Sequence, residues 1–287
     1  MSARRWRRRF TRGLIISYLF LGLLAFLVLF PVVWIVAQSM MKETQIYRWP
    51  ITFIPTPITF DNYVDLFVKR ANRPELPIAR WLFNSILVAS SVTVLILAVT
   101  STAAYAFARF DFPGNKFLFY CFGASMLIPS QITLIPTFLI VRAFGWVDSY
   151  HALIWPPLAG FFGVFFLRQF FTTIPRDFED AAIIDGCSPL GVFRHVILPL
   201  SSSALVTLGI FTYLASWNDF VWTLIVLNSN EMRTLTVGLT IFNGEYWSEQ
   251  GIIMAGAVFT SLPVVIVFLV LQKRISESML LAGLGGR

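Results

Sequence analysis

Charged residues are scarce in this 287-residue chain, where they make up 13% of the sequence while 57% of it is hydrophobic. A typical soluble domain carries about 25% charged residues. In water the apolar excess would form exposed patches that drive aggregation, whereas a lipid bilayer accepts an apolar outer surface. The composition and the mean hydropathy of +0.73 therefore argue against a soluble domain and indicate a membrane protein.

Cysteine and histidine are rare as well, with two of each in the chain. Cys121 falls in the middle of an apolar segment and Cys187 in a polar loop, so no disulfide or metal site is predicted. His151 and His195 have no acid or nucleophile nearby in the sequence. The chain also lacks a GxxxxGK[ST] phosphate loop, an HExxH motif and a GxSxG elbow. These absences predict a non-catalytic chain that binds no cofactor of its own.

Six charge-free segments are long enough to cross the hydrocarbon core of a bilayer, which takes about 20 apolar residues. Five of them are 13–41, 81–108, 117–141, 195–218 and 251–272. The sixth, 149–167, is shorter and contains Pro156, Pro157 and Gly160, which predict a kinked or locally broken helix. The sequence therefore predicts an all-α polytopic membrane protein with six transmembrane helices.

Six arginines in the leader, residues 1–12, indicate how the chain is oriented. The positive-inside rule places this leader in the cytoplasm, and six crossings return the carboxyl terminus to the same side. Segment 13–41 is longer than the apolar core of a cleavable signal, about 7 to 15 residues, so it is predicted to be an uncleaved anchor. An external loop, 42–80, then precedes a five-span core, 81–287. The net charge of +7 indicates membrane lipid, not nucleic acid, as the partner of the basic residues.

The segment 172–199 is the most polar stretch between two spans, and its sequence is typical of a helical hairpin. Pro175 suits the first turn of a short helix, and Gly186 suits the left-handed residue that ends it. Three acidic residues complement the positive end of that helix: Asp177, Glu179 and Asp180.

A second helix of this loop is predicted to start with Ser188 as its cap and Pro189 as its first residue, and to end before Pro199. Such a loop is either a solvated connector or a rigid protrusion inserted into a cytoplasmic partner, and the many capping signals favour docking. Three residues of the first helix are predicted to share an apolar face that another surface can approach closely: Phe178, Ala181 and Ala182.

The loop sequence PRDFEDAAIIDGCSPLGVFRHVILPL resembles the EAA loop of permease subunits in binding-protein-dependent ABC importers. In that family the loop forms the coupling helices that seat in a cleft of the ATPase subunit. The usual glutamate of the motif is Asp180 here, and its shorter carboxylate either weakens a salt contact to the ATPase or leaves that contact to Glu179. The resemblance implies ATPase coupling through Glu179 and through the motif positions Asp180, Ala181, Ala182, Asp185, Gly186, Phe193 and Pro199.

Other stretches are similar to the carbohydrate-uptake, maltose-transporter branch of that superfamily, and they run over nearly the whole chain. They include AAYAFARFDFPG at 103–114, MLIPSQITLIP at 126–136 and SWNDFVW at 216–222, whereas the tail AGLGGR departs from the pattern. The resemblance implies a permease subunit of an ATP-driven importer for mono- or oligosaccharides in the bacterial inner membrane. The partners it implies are a second permease, two ATPase subunits that bind ATP and Mg²⁺, and an extracytoplasmic substrate-binding protein that docks on the external loop.

Asp219 is the one acidic residue well inside an apolar segment. Burying it unpaired in lipid would cost at least about 2.5 kcal/mol, so it is expected to face a polar cavity or a partner. With Trp217, Asn218 and Trp222 it either lines a sugar path, since aromatic rings and amides suit sugars, or only caps a break in the fifth span. Three more polar residues near span ends are interpreted as interfacial: Asn84, Gln131 and Thr133.

The alternative function from another class is an ion-coupled secondary carrier or channel that uses Asp219 as its ion or proton site and works without an ATPase. A carrier would transport solute as the purified chain in liposomes under a proton or sodium gradient alone. An ATP-driven importer subunit is expected to show no such transport in the same assay.

Overall fold

The computed structural model describes residues 3–69, 76–242 and 249–284, and the regular structure within these ranges is helical. Short 3-10 turns lie at Ser125–Leu127, Pro156–Ala159, Asn230–Met232 and Leu239–Phe242, and π-helical turns at Asp65–Lys69 and Phe193–Ile197. The α-helices are α1 (Ala3–Ser39), α2 (Glu43–Ile46), α3 (Asp61–Val64), α4 (Ile78–Arg109), α5 (Asn115–Ala124), α6 (Ser130–Ala143), α7 (Tyr150–Ile154), α8 (Phe161–Thr173), α9 (Asp177–Ile184), α10 (Pro189–Val192), α11 (Leu198–Leu200), α12 (Ser202–Trp217), α13 (Val221–Val226), α14 (Leu235–Gly238) and α15 (Gln250–Leu284).

Three of these helices are long and apolar enough to cross a bilayer without a break: α1 over Leu14–Ser39, α4 over its whole length, and α15 over Gln250–Val270. Three bent pairs pass the same test when each pair is taken together, so the described ranges hold six spans if every pair is one span. The bent pairs are Asn115–Leu127 with Ser130–Ala143 at 101°, Tyr150–Ala159 with Phe161–Thr173 at 47°, and Pro189–Leu200 with Ser202–Trp217 at 78°. The all-α, six-span prediction agrees with this arrangement.

The kink predicted for segment 149–167 is confirmed, but the structure has two larger bends that the sequence analysis does not anticipate. At the first, Pro129 disfavours the helical conformation of the residue before it, and Ile128 is extended with φ −85° and ψ 113°. At the second, Ser201 leaves helical geometry with φ −96° and ψ 12°. At each bend one residue leaves helical geometry between two helices.

The chain divides into two compact units, Met1–Arg73 with Leu239–Ser261 and Pro74–Gly238 with Leu262–Arg287. In the first unit the segment after α1 bonds to the end of α1 and to the start of α15. The buried side chain of Asn62 donates to the carbonyls of Ser39 and Met41, at 2.9 and 2.8 Å. The Glu43 carboxylate accepts from the backbone N–H groups of Gln250 and Gly251, at 2.8 and 3.1 Å. A carboxylate at that position complements the positive end of α15.

In the second unit α4 packs along both α8 and α12. A close approach at Gly163 makes this packing possible, because a Cβ there would meet Thr100 Cγ2 at 2.9 Å and Leu208 Cδ2 at 3.3 Å. Small residues of this kind allow transmembrane helices to come near one another. The core that results contains apolar side chains from α4, α8 and α12 and from the loop that follows α8.

Replacing Gly163 with Val is expected to push α8 away from α4 and α12. Overpacking of this kind costs about 1–3 kcal/mol, so the midpoint of thermal unfolding in detergent should fall. Gly22→Val is the matched control, because nothing lies within 4 Å of a Cβ at that position. Equal midpoints for the two variants would contradict the proposed packing constraint.

Candidate functional site

A cavity of about 650 Å³ lies in the second unit. One wall is the α4 face formed by Ser85, Val88, Val92 and Ile96, whose spacing of three and four places them along one side of the helix. The lining also includes Asp219 and five hydroxyl side chains: Ser85, Thr212, Ser216, Thr223 and Thr234. The cavity is therefore largely apolar with a few polar groups, which is the usual composition of a small-molecule site.

Asp219 reaches this cavity because it follows the end of α12. Its carboxylate also accepts a hydrogen bond from the backbone N–H of Trp222, in the first turn of α13. The two interpretations left open by the sequence are thus compatible, since one carboxylate both caps the short helix and contributes to the cavity wall. Asp219 is half-buried and is the one acidic residue among those that line the cavity.

The other three residues predicted beside Asp219 do not line this cavity. Trp217 is 2% exposed and its ring stacks on that of Tyr213 with centroids 6.0 Å apart. The Trp222 indole N–H donates to the carbonyl of Ala152 at 2.9 Å. Asn218 is exposed, and its amide donates to a carbonyl one turn back in α12. Trp217 and Asn218 lie off the α12 face that meets the cavity, and Trp222 belongs to the next helix, α13.

The hydroxyl groups of the cavity are functional candidates that the sequence analysis does not identify. On α12 they follow a helical repeat in which Leu208, Thr212 and Ser216 are four residues apart and Asp219 comes three residues later. Residues spaced in this way share one helix face. That repeat is a signal from which the polar face could have been found.

Asn84, which the sequence analysis interprets as interfacial, is fully buried within the protein. Its amide donates to the carbonyls of Glu231 and Arg233 at 2.8 and 2.9 Å, and its carbonyl accepts from the Tyr150 hydroxyl at 2.6 Å. One residue along, the Ser85 hydroxyl accepts from the backbone N–H of Leu235 at 2.9 Å. The start of α4 thereby holds the segment 230–235 in place.

A second connection in this unit joins the loop before α7 to the segment after α13. Asp148 has a left-handed φ of 59°, and its Oδ1 accepts from the backbone N–H groups of Asn228 and Ser229 and from the Ser229 hydroxyl, at 3.0, 3.1 and 3.1 Å. Burial alone would raise the pKa of Asp148, but these donors stabilise the carboxylate and hold its pKa below the ordinary value.

A lowered pKa in the folded state means that the charged form of Asp148 stabilises the fold above the ordinary aspartate pKa. That contribution is lost as the pH falls through the lower pKa of the folded chain. Asp148→Asn is therefore expected to unfold at a lower temperature than wild type at neutral pH, with the difference vanishing at the acid end of the titration. The measurement is the unfolding midpoint against pH, with Asp61→Asn, a change at an exposed acid, as control. A difference that stays constant with pH would contradict this account.

The predicted hairpin is present as α9 followed by a second helical stretch from Pro189 to Leu200. Gly186 ends α9 with φ +87°, its N–H bonding to Ile183 O and the next N–H, of Cys187, to Ala182 O, both at 2.9 Å. This pair of bonds is a Schellman motif. The predicted cap of the second helix is also confirmed, because the Ser188 hydroxyl accepts from Gly191 N at 3.2 Å.

The predicted end of the second helix is wrong, because the helix continues through Pro199 to Leu200. The π turn Phe193–Ile197 lies just before it, where the N–H of Leu198 bonds back five residues to the carbonyl of Phe193. Pro199 then occupies the first turn of α11, a position that tolerates the missing backbone N–H of proline.

The hairpin has an inward and an outward side. Ala182 and Phe193 pack on the core of the second unit, so Ala182 does not share an exposed face with Phe178 and Ala181 as predicted. Glu179 is also buried and forms an ion pair with Arg109. The outward side carries Asp180, Ala181 and Pro199 and the helix end at Asp185 and Gly186. It also carries exposed apolar side chains, which include Phe178, Ile184 and Leu190 at 52%, 85% and 72% exposure.

These features define the class of the molecule as a helical polytopic membrane protein with a largely apolar cavity that carries a few polar groups, and with a capped helical hairpin. Residues 100–280 match the family described as the binding-protein-dependent transport system inner membrane component. The chain belongs to this family of transport permease subunits.

Individual relatives extend over most of the chain. The arabinooligosaccharides transport system permease protein AraQ of Halalkalibacterium halodurans is 34% identical over 92% of this chain and 93% of its own. The sn-glycerol-3-phosphate transport system permease protein UgpE of Escherichia coli is 30% identical over 86% and 88%. The crystal structure of a bacterial ABC transporter involved in the import of the acidic polysaccharide alginate shares the fold, with a TM-score of 0.79 at 23% identity over 94% of this chain and 97% of that chain.

Proposed function

We propose that this chain is the permease subunit of an ATP-driven importer for mono- or oligosaccharides in the bacterial inner membrane. The observation that carries the proposal is similarity over nine-tenths of the chain to a permease named for arabinooligosaccharides. The partners in the proposal are a second permease, two ATPase subunits and an extracytoplasmic substrate-binding protein. ATP and Mg²⁺ bind to the ATPases and not to this chain, and both of its termini are cytoplasmic.

The cavity beside α4 is the proposed sugar path. Its volume falls within the roughly 300–1,000 Å³ typical of small-molecule sites. Sugar hydroxyls need both donors and acceptors, which Thr212, Ser216 and Asp219 supply along one side, while apolar side chains such as Val88 and Phe211 contact C–H faces.

The outward side of the hairpin is the proposed docking surface for the ATPase. Its exposed apolar side chains, which include Phe178, Ile184 and Leu190, are accompanied by the charge of Asp180. Ala181 allows a close approach, while Gly186 and Asp185 form the helix end. Exposed apolar groups with polar neighbours are characteristic of sites that bind another protein.

The mechanism that follows is alternating access. Closure of the ATPase dimer on ATP draws the hairpins of the two permeases together, and the bundles then open outward to receive sugar from the binding protein. A two-state element whose equilibrium is biased by a partner is what such coupling requires.

Asp219→Asn tests the sugar path. Loss of a hydrogen bond to a charged group costs about 1.5–3 kcal/mol, which corresponds to roughly a 10- to 150-fold loss in apparent affinity. Uptake of a panel of labelled mono- and oligosaccharides into cells that carry the complete importer measures the effect and any change of preference. Asp111→Asn, a change at an exposed acid away from this cavity, is the control. Unchanged uptake and preference in Asp219→Asn would leave the residue with a capping role alone.

Affinity purification in mild detergent tests the docking surface. The tagged wild-type chain is expected to recover the ATPase, and Ile184→Asp is expected to lose most of it, because a charge would be buried in an apolar contact. Ile54→Asp makes the same change at a residue that is 73% exposed in the segment after α1. If the wild-type chain recovers no ATPase, the proposed function fails.

A further inference from the structure

We propose that the Arg109–Glu179 ion pair is the positioning element that transmits movement of the hairpin to the membrane-spanning helix α4. This inference rests on the proposed function, since it concerns how the ATPase-driven hairpin acts on the membrane core. Neither residue lies on the proposed docking surface or lines the proposed sugar path.

The pair joins the end of a long span to the first helix of the hairpin. Arg109 is the last residue of α4, and its Nε lies 2.5 Å from Oε1 of Glu179 in α9. A second nitrogen of the guanidinium donates to the carbonyl of Ile174 at 2.8 Å, just before α9 begins. One side chain thus holds both the approach to α9 and its first turn.

Burial makes this connection stiff. The side chains of Arg109 and Glu179 are 7% and 11% exposed. Separating the two charges would leave each of them buried without its counter-ion, which is strongly unfavourable. A displacement of α9 is therefore expected to carry the end of α4 with it rather than break the contact.

A second contact from the same turn of α4 reaches the other helix of the hairpin. The ring of Tyr105, four residues before Arg109, packs on that of Phe193 with centroids 5.0 Å apart, and both rings are buried. Residues four apart lie on the same face of a helix. The final turn of α4 consequently holds both helices of the hairpin, by an ion pair on one and by ring packing on the other.

Two adjacent acids of α9 therefore have different tasks. Asp180 is exposed on the outward side, whereas Glu179 points inward to Arg109. In this assignment Asp180 belongs to the contact with the ATPase, and Glu179 belongs to the contact with the transmembrane core. The two functions can be separated by mutation.

The test uses the complete importer complex in nanodiscs, with Cys121→Ser and Cys187→Ala removing the native thiols. Thr212→Cys places a reporter in the cavity, and its rate of labelling by a water-soluble maleimide is measured with and without ATP, together with ATP hydrolysis. In Glu179→Gln the ATP-dependent change in labelling is expected to fall at least about fivefold, the lower end of typical allosteric coupling. ATPase recovery should persist, because Asp180 is untouched.

Three further variants separate positioning from general stability. Arg109→Gln should reproduce the loss, and Arg109→Gln with Glu179→Gln should be no worse than either alone, since groups that act as a pair are non-additive. Asp177→Asn removes a neighbouring exposed acid of α9 and should leave the ATP-dependent change at its wild-type size.

If the ATP-dependent change in labelling has its wild-type size in Glu179→Gln, the inference is overturned. So would a loss that only parallels lost ATPase recovery, or failure of both the single and the double variants to assemble, because either result assigns the pair to folding alone. A wild-type complex without any ATP-dependent change is a different result, and it would count against the proposed function itself.

Discussion

Backbone polar groups within a bilayer must find partners in the protein, and the rest of this structure depends on how that constraint is met. Within the described ranges three spans are bent pairs of helices, and each bend frees carbonyls and amides that a continuous helix would satisfy. Irregular backbone away from these bends finds partners on α4, which stays unbroken over 32 residues. At its start Asn84 and Ser85 bond the backbone of the segment 230–235, and at its end Arg109 bonds the carbonyl of Ile174.

The same helix connects the elements of the proposed function. Its middle forms a wall of the cavity through Val88, Val92 and Ile96, and its last turn contacts both helices of the hairpin. The polar groups of the proposed function lie largely outside α4, while α4 itself contacts both the cavity and the hairpin. A transport permease needs this combination, because a site formed by irregular backbone still has to move as a unit.

Features that depend on local chemistry could be predicted from the sequence. The spans follow from the length of apolar runs, and the hairpin follows from caps whose hydrogen bonds join residues at most five apart, as at Gly186 and Ser188. Features that depend on distant partners could not be predicted. Nothing in the sequence near Glu179 indicates that it turns inward while Asp180 faces outward, because Arg109 lies 70 residues earlier in the chain.

The candidate site shows the same division. Asp219 could be found because a carboxylate in an apolar segment is unusual. Proximity in the sequence predicts its aromatic neighbours for the same site, but the ring of Trp217 stacks on Tyr213 and the indole of Trp222 bonds to Ala152. The bend at Ser201 is not predicted because the three serines 201–203 fit a helix as well as a break, whereas the hydroxyl face of α12 follows from its spacing.

The capped hairpin also has an energetic consequence for assembly. Because Gly186, Ser188 and the ion pair at Glu179 hold the two helices with bonds internal to the chain, a companion protein would meet a shape that is already formed. Association then loses little conformational entropy on this side, and more of the contact energy is left for affinity. A hairpin that is already folded favours rapid and repeated binding over slow folding on contact.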